Sequence, residues 1–178
     1  MEERPRVKIV DYVPSDKVHR TKIHEKMKEA NVALSLDSFL DEGVIRRVES
    51  TLREMMAEQG YTDADIKHTV TPVAGGPELV NVSFVVGEGP KIRIRDVEFV
   101  GNGAIGDGTL QRKMKENKPK GMLGFITGGG TYKEAEFEED AAKVVEYYQN
   151  LGYPQARVGN PEIKVLEDTK DGKSRWVQ

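Results

Sequence analysis

The amino-acid sequence predicts an α+β fold: two tandem β-α-α-β-β units, each a three-stranded mixed sheet covered on one face by two helices. First, apolar residues recur with period two or at helical spacing in the order strand, helix, helix, strand, strand, and this order occurs twice. Second, Gly-Tyr follows each predicted second helix, at residues 60–61 and 152–153. Third, the first strands, residues 6–13 and 93–100, have similar sequences. Matches in the same order and at the same structural positions indicate an internal repeat.

Composition narrows the class of protein. The chain has 178 residues, with 27 Lys and Arg against 30 Asp and Glu, and its formal net charge is −3. This charge gives no general case for binding nucleic acid or anionic lipid. There are no cysteines, which excludes disulfides and thiolate metal sites. No apolar run of the sequence approaches the roughly 20 residues of a membrane-spanning helix.

The first unit is predicted over residues 1–88. Its predicted elements are a strand at Arg6–Val13, a helix at Thr21–Ala30, a longer helix from Val44 to Met56, and strands at Ala64–Val73 and Leu79–Val86. Asp41 is the predicted N-cap of the longer helix, because its carboxylate can accept from the amides of the first turn. Gly60 is the predicted C-cap, since glycine adopts the left-handed conformation readily.

The second unit is predicted over residues 89–178. Its predicted elements are a strand at Lys91–Val100, a short helix capped by Asp107, a helix from Phe137 to Leu151, a strand at Ala156–Leu166 that Pro161 interrupts, and a returning strand that begins at Trp176. Thr131 and Glu134 have the spacing of a capping box before the longer helix. The sequence stops inside the returning strand, so we expect the last strand to be truncated and the chain to be a fragment of a longer protein.

Chain reversals set the predicted topology of each sheet. The third strand runs parallel to the first and antiparallel to the second, and a central position for it lets the helix pair cover one face with a right-handed crossover. The second strand then becomes an edge with a row of unpaired backbone groups. Between the units, Gly87, Glu88, Gly89 and Pro90 form the predicted inter-domain hinge, because the glycines allow unusual backbone angles and the proline stiffens the chain.

Several stretches resemble chemical motifs, and each has a simpler interpretation. Gly101–Gly106 matches G-x-G-x-x-G, but the acidic residue expected about twenty residues later is missing, so we interpret it as a turn. Gly124–Thr131 lacks the lysine of a phosphate-binding loop. His19, His24 and His68 have no metal-ligand spacing. We therefore predict no catalytic, cofactor-binding or metal-binding residues and no enzyme, with a nucleotide-binding or enzymatic domain as the distant alternative.

The predicted edge strands are the candidate sites. An exposed edge accepts another extended chain through backbone hydrogen bonds and makes little demand on its sequence. Charged residues such as Asp65, Lys67 and Arg157 could instead protect the edge, and both interpretations stay open. A proline at Thr69 is expected to weaken peptide binding without unfolding the chain. The predicted partner-binding residues are Ile66, Lys67, His68, Thr69, Val70 and Thr71 in the first unit and Ala156, Arg157 and Val158 in the second.

The junction between the units and the repeated element order resemble a known family. The junction from Val86 reads Val-Gly-Glu-Gly-Pro-Lys-Ile-Arg-Ile, and Phe-Val-Gly-Asn follows at residues 99–102. Together with the β-α-α-β-β order and the two Gly-Tyr pairs, it resembles POTRA domains, the polypeptide-transport-associated repeats of BamA-type outer-membrane assembly proteins. The loop Gly124–Gly128 leading into Tyr132 is similar to that of the third repeat, so the chain resembles repeats two and three. The first unit departs from the pattern because no Gly-Asn follows its first strand.

The resemblance implies a location and a set of partners. It implies the periplasmic portion of an outer-membrane protein, whose own C-terminal β-barrel is a partner. It implies a binding scaffold that receives unfolded outer-membrane protein segments by edge-strand addition and binds accessory lipoproteins of the assembly complex, with no cofactor and no nucleic acid. Similar repeats occur in two-partner secretion transporters and chloroplast import channels, so a POTRA pair of a two-partner secretion transporter is the alternative.

Overall fold

The structure, a computed structural model, describes residues 5–13, 19–32, 36–74, 79–119 and 130–178. The chain divides into two compact units. One comprises the residues up to 56 together with residues 63–89, and the other comprises residues 57–62 and 90–178. Each unit contains a three-stranded mixed sheet and helices, so the predicted α+β class is confirmed. Among the described residues, no helix combines the length and the apolar character needed to cross a bilayer.

The first unit has the predicted order of elements. It consists of β1 (Arg6–Val13), α1 (Arg20–Glu29), α2 (Glu42–Glu58), β2 (Asp65–Pro72) and β3 (Leu79–Gly87). The strand order is β1-β3-β2, with β1 parallel and β2 antiparallel to β3. The predicted central position of the third strand is therefore confirmed.

The core of the first unit is built from alternating residues of β3 and from the apolar face of α2. Val82 and Phe84 of β3 are fully buried, and Leu52 and Met56 of α2 are buried at helical spacing. The ring of Tyr12 on β1 stacks on Phe84, with centroids 5.6 Å apart. Burying each large apolar side chain contributes about 1.5–3 kcal/mol, so β3 is held firmly as the strand on which β2 pairs.

Both predicted caps of α2 are confirmed. The amides of Gly43 and Val44 donate to Asp41 Oδ1 at 2.7 and 3.3 Å, which satisfies donors of the first turn. Gly60 has φ +89°, and its amide donates to the carbonyl of Ala57 at 2.8 Å. A residue with a Cβ is strained in that conformation, so glycine is required there.

The second unit repeats the topology with shorter strands. Its elements are β4 (Lys91–Ile94), α3 (Asp107–Gln111), a 3₁₀ turn (Glu134–Glu136), α4 (Phe137–Asn150), β5 (Val165–Asp168) and β6 (Ser174–Val177). The strand order is β4-β6-β5, with β4 parallel and β5 antiparallel to β6. The same mixed topology therefore arises in both units.

Two strands of the second unit are shorter than predicted. β4 ends at Ile94 rather than at Val100, and β5 begins at Val165 rather than at Ala156. The predicted strand over residues 156–163 is therefore wrong. The physical reason is that a strand needs a partner for its backbone groups, and among the described residues no strand pairs with this segment.

Two predicted helix caps of the second unit are also wrong. Asp107 is the first residue of α3 rather than its cap, and its carboxylate accepts from Asn102 Nδ2 at 2.5 Å. The capping box fails because the 3₁₀ turn is preceded by Lys133 at the N-cap position. Thr131 therefore lies too early to cap it, and it forms a bridge with Arg93 of β4 instead.

A buried carboxylate holds the start of α4 against the segment that follows α3. Asp140 is fully buried. Its Oδ1 accepts from the amides of Lys115 and Glu116 at 2.6 and 3.1 Å, and its Oδ2 accepts from the amide of Asn117 at 2.6 Å. One side chain thus satisfies three backbone donors, two of them at short charge-assisted distances.

Asn117 extends this network to the chain that precedes α4. It is buried, its Nδ2 donates to the carbonyl of Lys133 at 2.8 Å, and its Oδ1 accepts from the amide of Lys133 at 2.6 Å. Lys133 Nζ also donates to Glu116 Oε2 at 2.6 Å, and this hydrogen bond lowers the pKa of the Glu116 carboxyl. A lowered pKa means that this contribution to stability is present above the unfolded-state pKa and is lost as pH falls through the folded-state pKa.

We predict that Asp140→Asn lowers the free energy of unfolding by about 3 kcal/mol, measured by urea denaturation. Asparagine has only one acceptor oxygen, and its NH2 group would face a backbone amide donor that a carboxylate oxygen now satisfies. Glu139→Gln is the matched control, since Glu139 is an exposed acid in the same turn and should change stability by less than about 1 kcal/mol. Equal losses in the two variants would contradict the role given to Asp140.

Candidate functional site

The outer edge of β2 is the candidate site, and the register of β2 with β3 shows which of its backbone groups are available. β2 has eight residues and pairs with β3 from Asp65 to Pro72 without a shift. The amide of Val73 donates to the carbonyl of Leu79 at 2.8 Å. Hydrogen-bonded pairs alternate along an antiparallel ladder, so the odd-numbered residues of β2 direct their amides and carbonyls towards β3. The even-numbered residues direct theirs outwards.

The outward backbone groups therefore belong to Ile66, His68 and Val70, three of the six residues predicted for this edge. Lys67, Thr69 and Thr71 use their backbone groups to hold β2 in the sheet. The expectation that a proline at Thr69 spares the fold is consequently wrong, because that amide is directed to β3.

Pro72 lies at an outward position of the same register. Proline has no amide to donate, and within sheets it is confined to places where no ladder hydrogen bond is needed. The native proline thus agrees with the assigned direction of the backbone. It also ends the outward row of amide donors at Val70.

The side chains of Ile66 and His68 turn towards the interior of the unit. Ile66 is buried, and His68 Nδ1 lies 2.7 Å from Oε1 of Glu49 on α2. The His68 ring also lies against Phe84, with centroids 6.3 Å apart. These contacts hold the middle of β2 against α2. The backbone of β2 at His68 still faces outwards.

Charge is confined to the start of this edge. Lys67 Nζ lies 2.6 Å from Asp65 Oδ2, and both side chains are exposed. The hydrogen bond that Lys67 donates to Asp65 raises the pKa of Lys67, although an exposed pair of this kind contributes little to stability. From His68 to Thr71 the strand carries no Lys, Arg, Asp or Glu, so protection by charge does not extend along it.

Chain that precedes α2 hydrogen-bonds with the start of β1, and chain that precedes α4 hydrogen-bonds with β4. In the first unit, the amide of Val7 donates to the carbonyl of Ser38 at 2.9 Å, and the amide of Asp37 donates to the carbonyl of Val7 at 2.7 Å. In the second unit, the amide of Ile94 donates to the carbonyl of Gly130 at 2.8 Å, and the amide of Tyr132 donates to the carbonyl of Ile92 at 3.2 Å. The other outer strands of the two sheets are β2 and β5.

β5 is the less suitable of these two edges. It has four residues, and its register with β6 shifts between Val165 and Glu167. Glu167 pairs with Arg95. Arg175 Nε donates to Asp168 Oδ1 at 2.8 Å, which lowers the pKa of the Asp168 carboxyl. A short, bulged and charged strand is a protected edge.

The residues predicted for the second edge lie outside β5. Ala156, Arg157 and Val158 precede it in irregular chain. Val158 is partly buried and packs against the cluster that contains Leu110 and Val144. The structure therefore does not bring these three residues to the sheet edge, and their role in binding partners stays a prediction.

The predicted hinge follows β3 directly. Gly87 is the last residue of β3, and Gly89 has φ +66°. A Cβ built on Gly89 would lie 3.1 Å from the carbonyl oxygen of Asp63, so both conformation and space favour glycine. The role of residues 87–90 as a hinge stays a prediction.

The other motifs show no reactive arrangement. In the described part of the chain, no group of three or more His, Asp or Glu residues could hold a metal ion. Asn102 Nδ2 donates to the carbonyl of Ile105 at 2.9 Å, which makes the G-x-G-x-x-G stretch a closed turn before the five-residue helix α3. Most of Gly124–Thr131 lies outside the described residues.

Comparison with known families supports the sequence resemblance. The POTRA family model, described as a surface antigen variable number repeat, matches residues 92–174. The matched residues cover most of the second unit. The first unit has the same strand order and the same parallel and antiparallel pairings, so the POTRA resemblance covers both units.

Curated relatives align with nearly the whole chain. The outer membrane protein assembly factor BamA of Neisseria meningitidis serogroup B is 26% identical over 184 residues, covering 98% of this chain and 22% of that protein. BamA of Nitratidesulfovibrio vulgaris is 26% identical over 166 residues, covering 93% of this chain and 20% of that protein. The chain thus spans about a fifth of the length of these relatives.

Solved POTRA structures share the fold. The crystal structure of Haemophilus influenzae BamA POTRA3-5 matches with a TM-score of 0.56 at 16% identity, covering 97% of this chain and 59% of that one. POTRA1-3 of the periplasmic domain of Omp85 from Anabaena matches with a TM-score of 0.51 at 15% identity, covering 99% and 62%. At these identities the likeness establishes the fold alone.

We predict that Glu49→Ala loosens the edge strand, because it removes the partner of His68. Stability should fall by about 1 kcal/mol, and amide hydrogen exchange across β2 should accelerate more than exchange in α1. Glu49→Gln, whose side-chain oxygen can still accept from the imidazole, should retain most of the protection. Unchanged exchange in Glu49→Ala would show that the contact does not hold the strand.

Proposed function

We propose that the chain is a non-enzymatic scaffold in the periplasmic portion of an outer-membrane protein assembly factor, and that it receives unfolded outer-membrane protein segments on the outer edge of β2. Two curated relatives that align with nearly all of this chain are named as such assembly factors. The single observation that carries the binding mode is the outward direction of the backbone at Ile66, His68 and Val70.

Strand addition suits a scaffold that must accept many clients. The client supplies backbone amides and carbonyls, which every sequence has, so binding depends little on the client's side chains. Ile66 is buried, and the side chain of His68 is held by Glu49, so the scaffold presents its backbone at these positions. Outer-membrane protein segments that form strands fit this chemistry because they adopt extended conformations readily.

The expected binding is weak and reversible. Each of the three outward residues offers one amide and one carbonyl, and a hydrogen bond contributes about 1 kcal/mol net. Ordering each client residue costs about 1–2 kcal/mol. Backbone bonds alone therefore leave little net affinity, and contacts with exposed side chains such as Thr69 must supply the remainder. Weak binding allows a client to be passed on. Because two relatives are named as assembly factors, we also propose accessory lipoproteins of an assembly complex as partners.

We predict that Val70→Pro weakens binding of a labelled outer-membrane strand peptide by about fivefold or more, measured by fluorescence anisotropy. The substitution removes an outward donor and places a ring where the client strand would lie. The fold should survive, as proline is tolerated at outward edge positions. Val70→Thr is the matched control, since it keeps the amide and a β-branched side chain, and it should bind like the parent chain.

Thr69→Pro tests the assigned register itself. Its amide is directed to β3, so this variant should lose about 3 kcal/mol or more of stability, seen as a lower Tm by circular dichroism. If Val70→Pro were folded and bound the peptide as well as Val70→Thr does, the proposed binding edge would be wrong. If Thr69→Pro were as stable as the parent chain, the register of outward groups would be wrong.

A further inference from the structure

The outer side of β1 carries backbone groups beyond the point where the chain before α2 contacts it. The amide of Val7 donates to the carbonyl of Ser38, and the carbonyl of Val7 accepts from the amide of Asp37. In the described part of the chain, no backbone hydrogen bond reaches the outer side of β1 at Val10 or Tyr12. The first unit therefore has a second stretch of sheet edge, on the opposite side of the sheet from β2.

The register of β1 with β3 shows which of its backbone groups face outwards. Val10 lies opposite Val82, and Tyr12 lies opposite Phe84. The odd-numbered residues of β3 pair with β2, so Val82 and Phe84 direct their amides and carbonyls to β1. In a parallel ladder the bonds are slanted, so each of these residues bonds with the two neighbours of the residue opposite to it. The amides and carbonyls of Val10 and Tyr12 therefore face away from the sheet.

A pocket of about 390 Å³ lies beside these outward groups. Val10 and Tyr12 line it from β1, Met27 lines it from α1, and Val32 lines it from the chain that follows α1. Tyr12, Met27 and Val32 are buried and form an apolar floor. Leu36 also lines the pocket, and it is 63% exposed. The volume lies in the range of pockets that take small ligands, so one large apolar side chain can enter.

The rim of this pocket has a cation and no acid. Lys28 and His24 of α1 are exposed and line it, and no Asp or Glu is among the described residues that do so. Glu25 and Glu29 belong to the same helix but do not line the pocket. Electrostatic complementarity at such a rim favours an acidic group on the occupant.

The other face of this edge is apolar as well. Ile9 and Val13 lie opposite odd-numbered residues of β3, on the face away from the helices, and they are 49% and 46% exposed. Asp11, the one charged residue between them, pairs with Arg20 at 2.8 Å. On the same face, β2 presents a lysine and two threonines. The β1 edge thus offers side-chain contacts that the β2 edge lacks.

We propose that the outer side of β1 and this pocket form a second binding edge, which selects an extended peptide segment by its side chains. The segment pairs its backbone with Val10 and Tyr12, places one large apolar side chain in the pocket, and places an acidic residue near Lys28. Residues two apart share a face of a strand, so the acid lies two positions from the apolar residue. Backbone bonds supply part of the affinity, and the pocket supplies the selectivity.

This edge is separate from the one proposed for clients on β2. The two edges share no residue, and they lie on opposite sides of β3. The β2 edge presents mainly backbone and accepts many sequences, whereas the β1 edge requires an apolar residue and an acid. A partner with a fixed sequence therefore fits β1 better than a varied set of clients does.

The test uses the 178-residue chain and its Val70→Pro variant with a labelled peptide, Thr-Asp-Thr-Phe-Thr-Asp-Thr, blocked at both ends. Acids on both sides of the phenylalanine make the design independent of the direction in which the peptide binds. One control peptide has serine in place of phenylalanine, and another has lysine in place of both acids. Affinity is measured by fluorescence anisotropy, and backbone amide NMR shifts at Val10, Tyr12 and His68 locate the bound peptide.

We expect the phenylalanine peptide to bind both chains within about twofold and to shift the amides of Val10 and Tyr12 more than that of His68. Serine in place of phenylalanine should weaken binding by about tenfold or more, because the burial of the ring is lost. Lysine in place of the acids should weaken it by about threefold or more. Lys28→Glu should remove that preference, whereas Lys22→Glu, a matched exposed change outside the pocket, should keep it.

Three results would overturn the proposal. These are no binding of the phenylalanine peptide, equal binding of the serine peptide, and amide shifts that centre on His68. Equal effects of Lys28→Glu and Lys22→Glu would overturn the role of the acid. The β2 proposal is tested separately, by the loss of an outer-membrane strand peptide from the Val70→Pro chain, so either edge can fail while the other stands.

Discussion

The need to pair every backbone amide and carbonyl that leaves water governs both units of this chain. An unpaired buried group costs as much as a lost hydrogen bond or more. The central strands β3 and β6 satisfy this condition through neighbours on both sides. Asp140 satisfies it for three consecutive amides that no helix or strand could serve. Each architectural feature of the two units can be traced to how a particular set of backbone groups finds its partners.

The same constraint explains the contacts made by the first strand of each unit. The chain before α2 bends back to hydrogen-bond with β1, and the chain before α4 does the same for β4. Because both units have this arrangement, we interpret it as a feature of the fold. It leaves β2 as a long, regular edge with few charges. β5 is short, bulged and flanked by ion pairs.

Weak, reversible binding at the β2 edge agrees with a scaffold that passes its clients to another site. Ile66 is buried and His68 is held by Glu49 of α2, so the middle of the strand presents a preformed row of donors and acceptors and loses little entropy of its own on binding. The client still has to be ordered, which keeps the complex weak. The histidine in the middle of this edge therefore has a structural role: it holds the strand to Glu49 and to the ring of Phe84.

Periodicity and local signals in the sequence determined the order of the elements, the caps of α2 and the topology of both sheets, because each depends on residues close together in the chain. Asp41 needs only the first turn of its own helix, and Gly60 needs only the last. The sequence also identified β2 as an edge, since strand directions and a right-handed crossover favour the third strand as the central one. The sequence did not predict the direction of the Thr69 amide. That direction follows from the register of β2 with β3, which no local pattern encodes. Likewise, residues 156–163 have the composition of a strand, but no strand of the described part of the chain pairs with them. Asp140 has the sequence position of an ordinary acid at a helix start, and only the fold brings three distant amides to it. Only the tertiary structure decided these points, because each depends on which backbone groups meet across the fold.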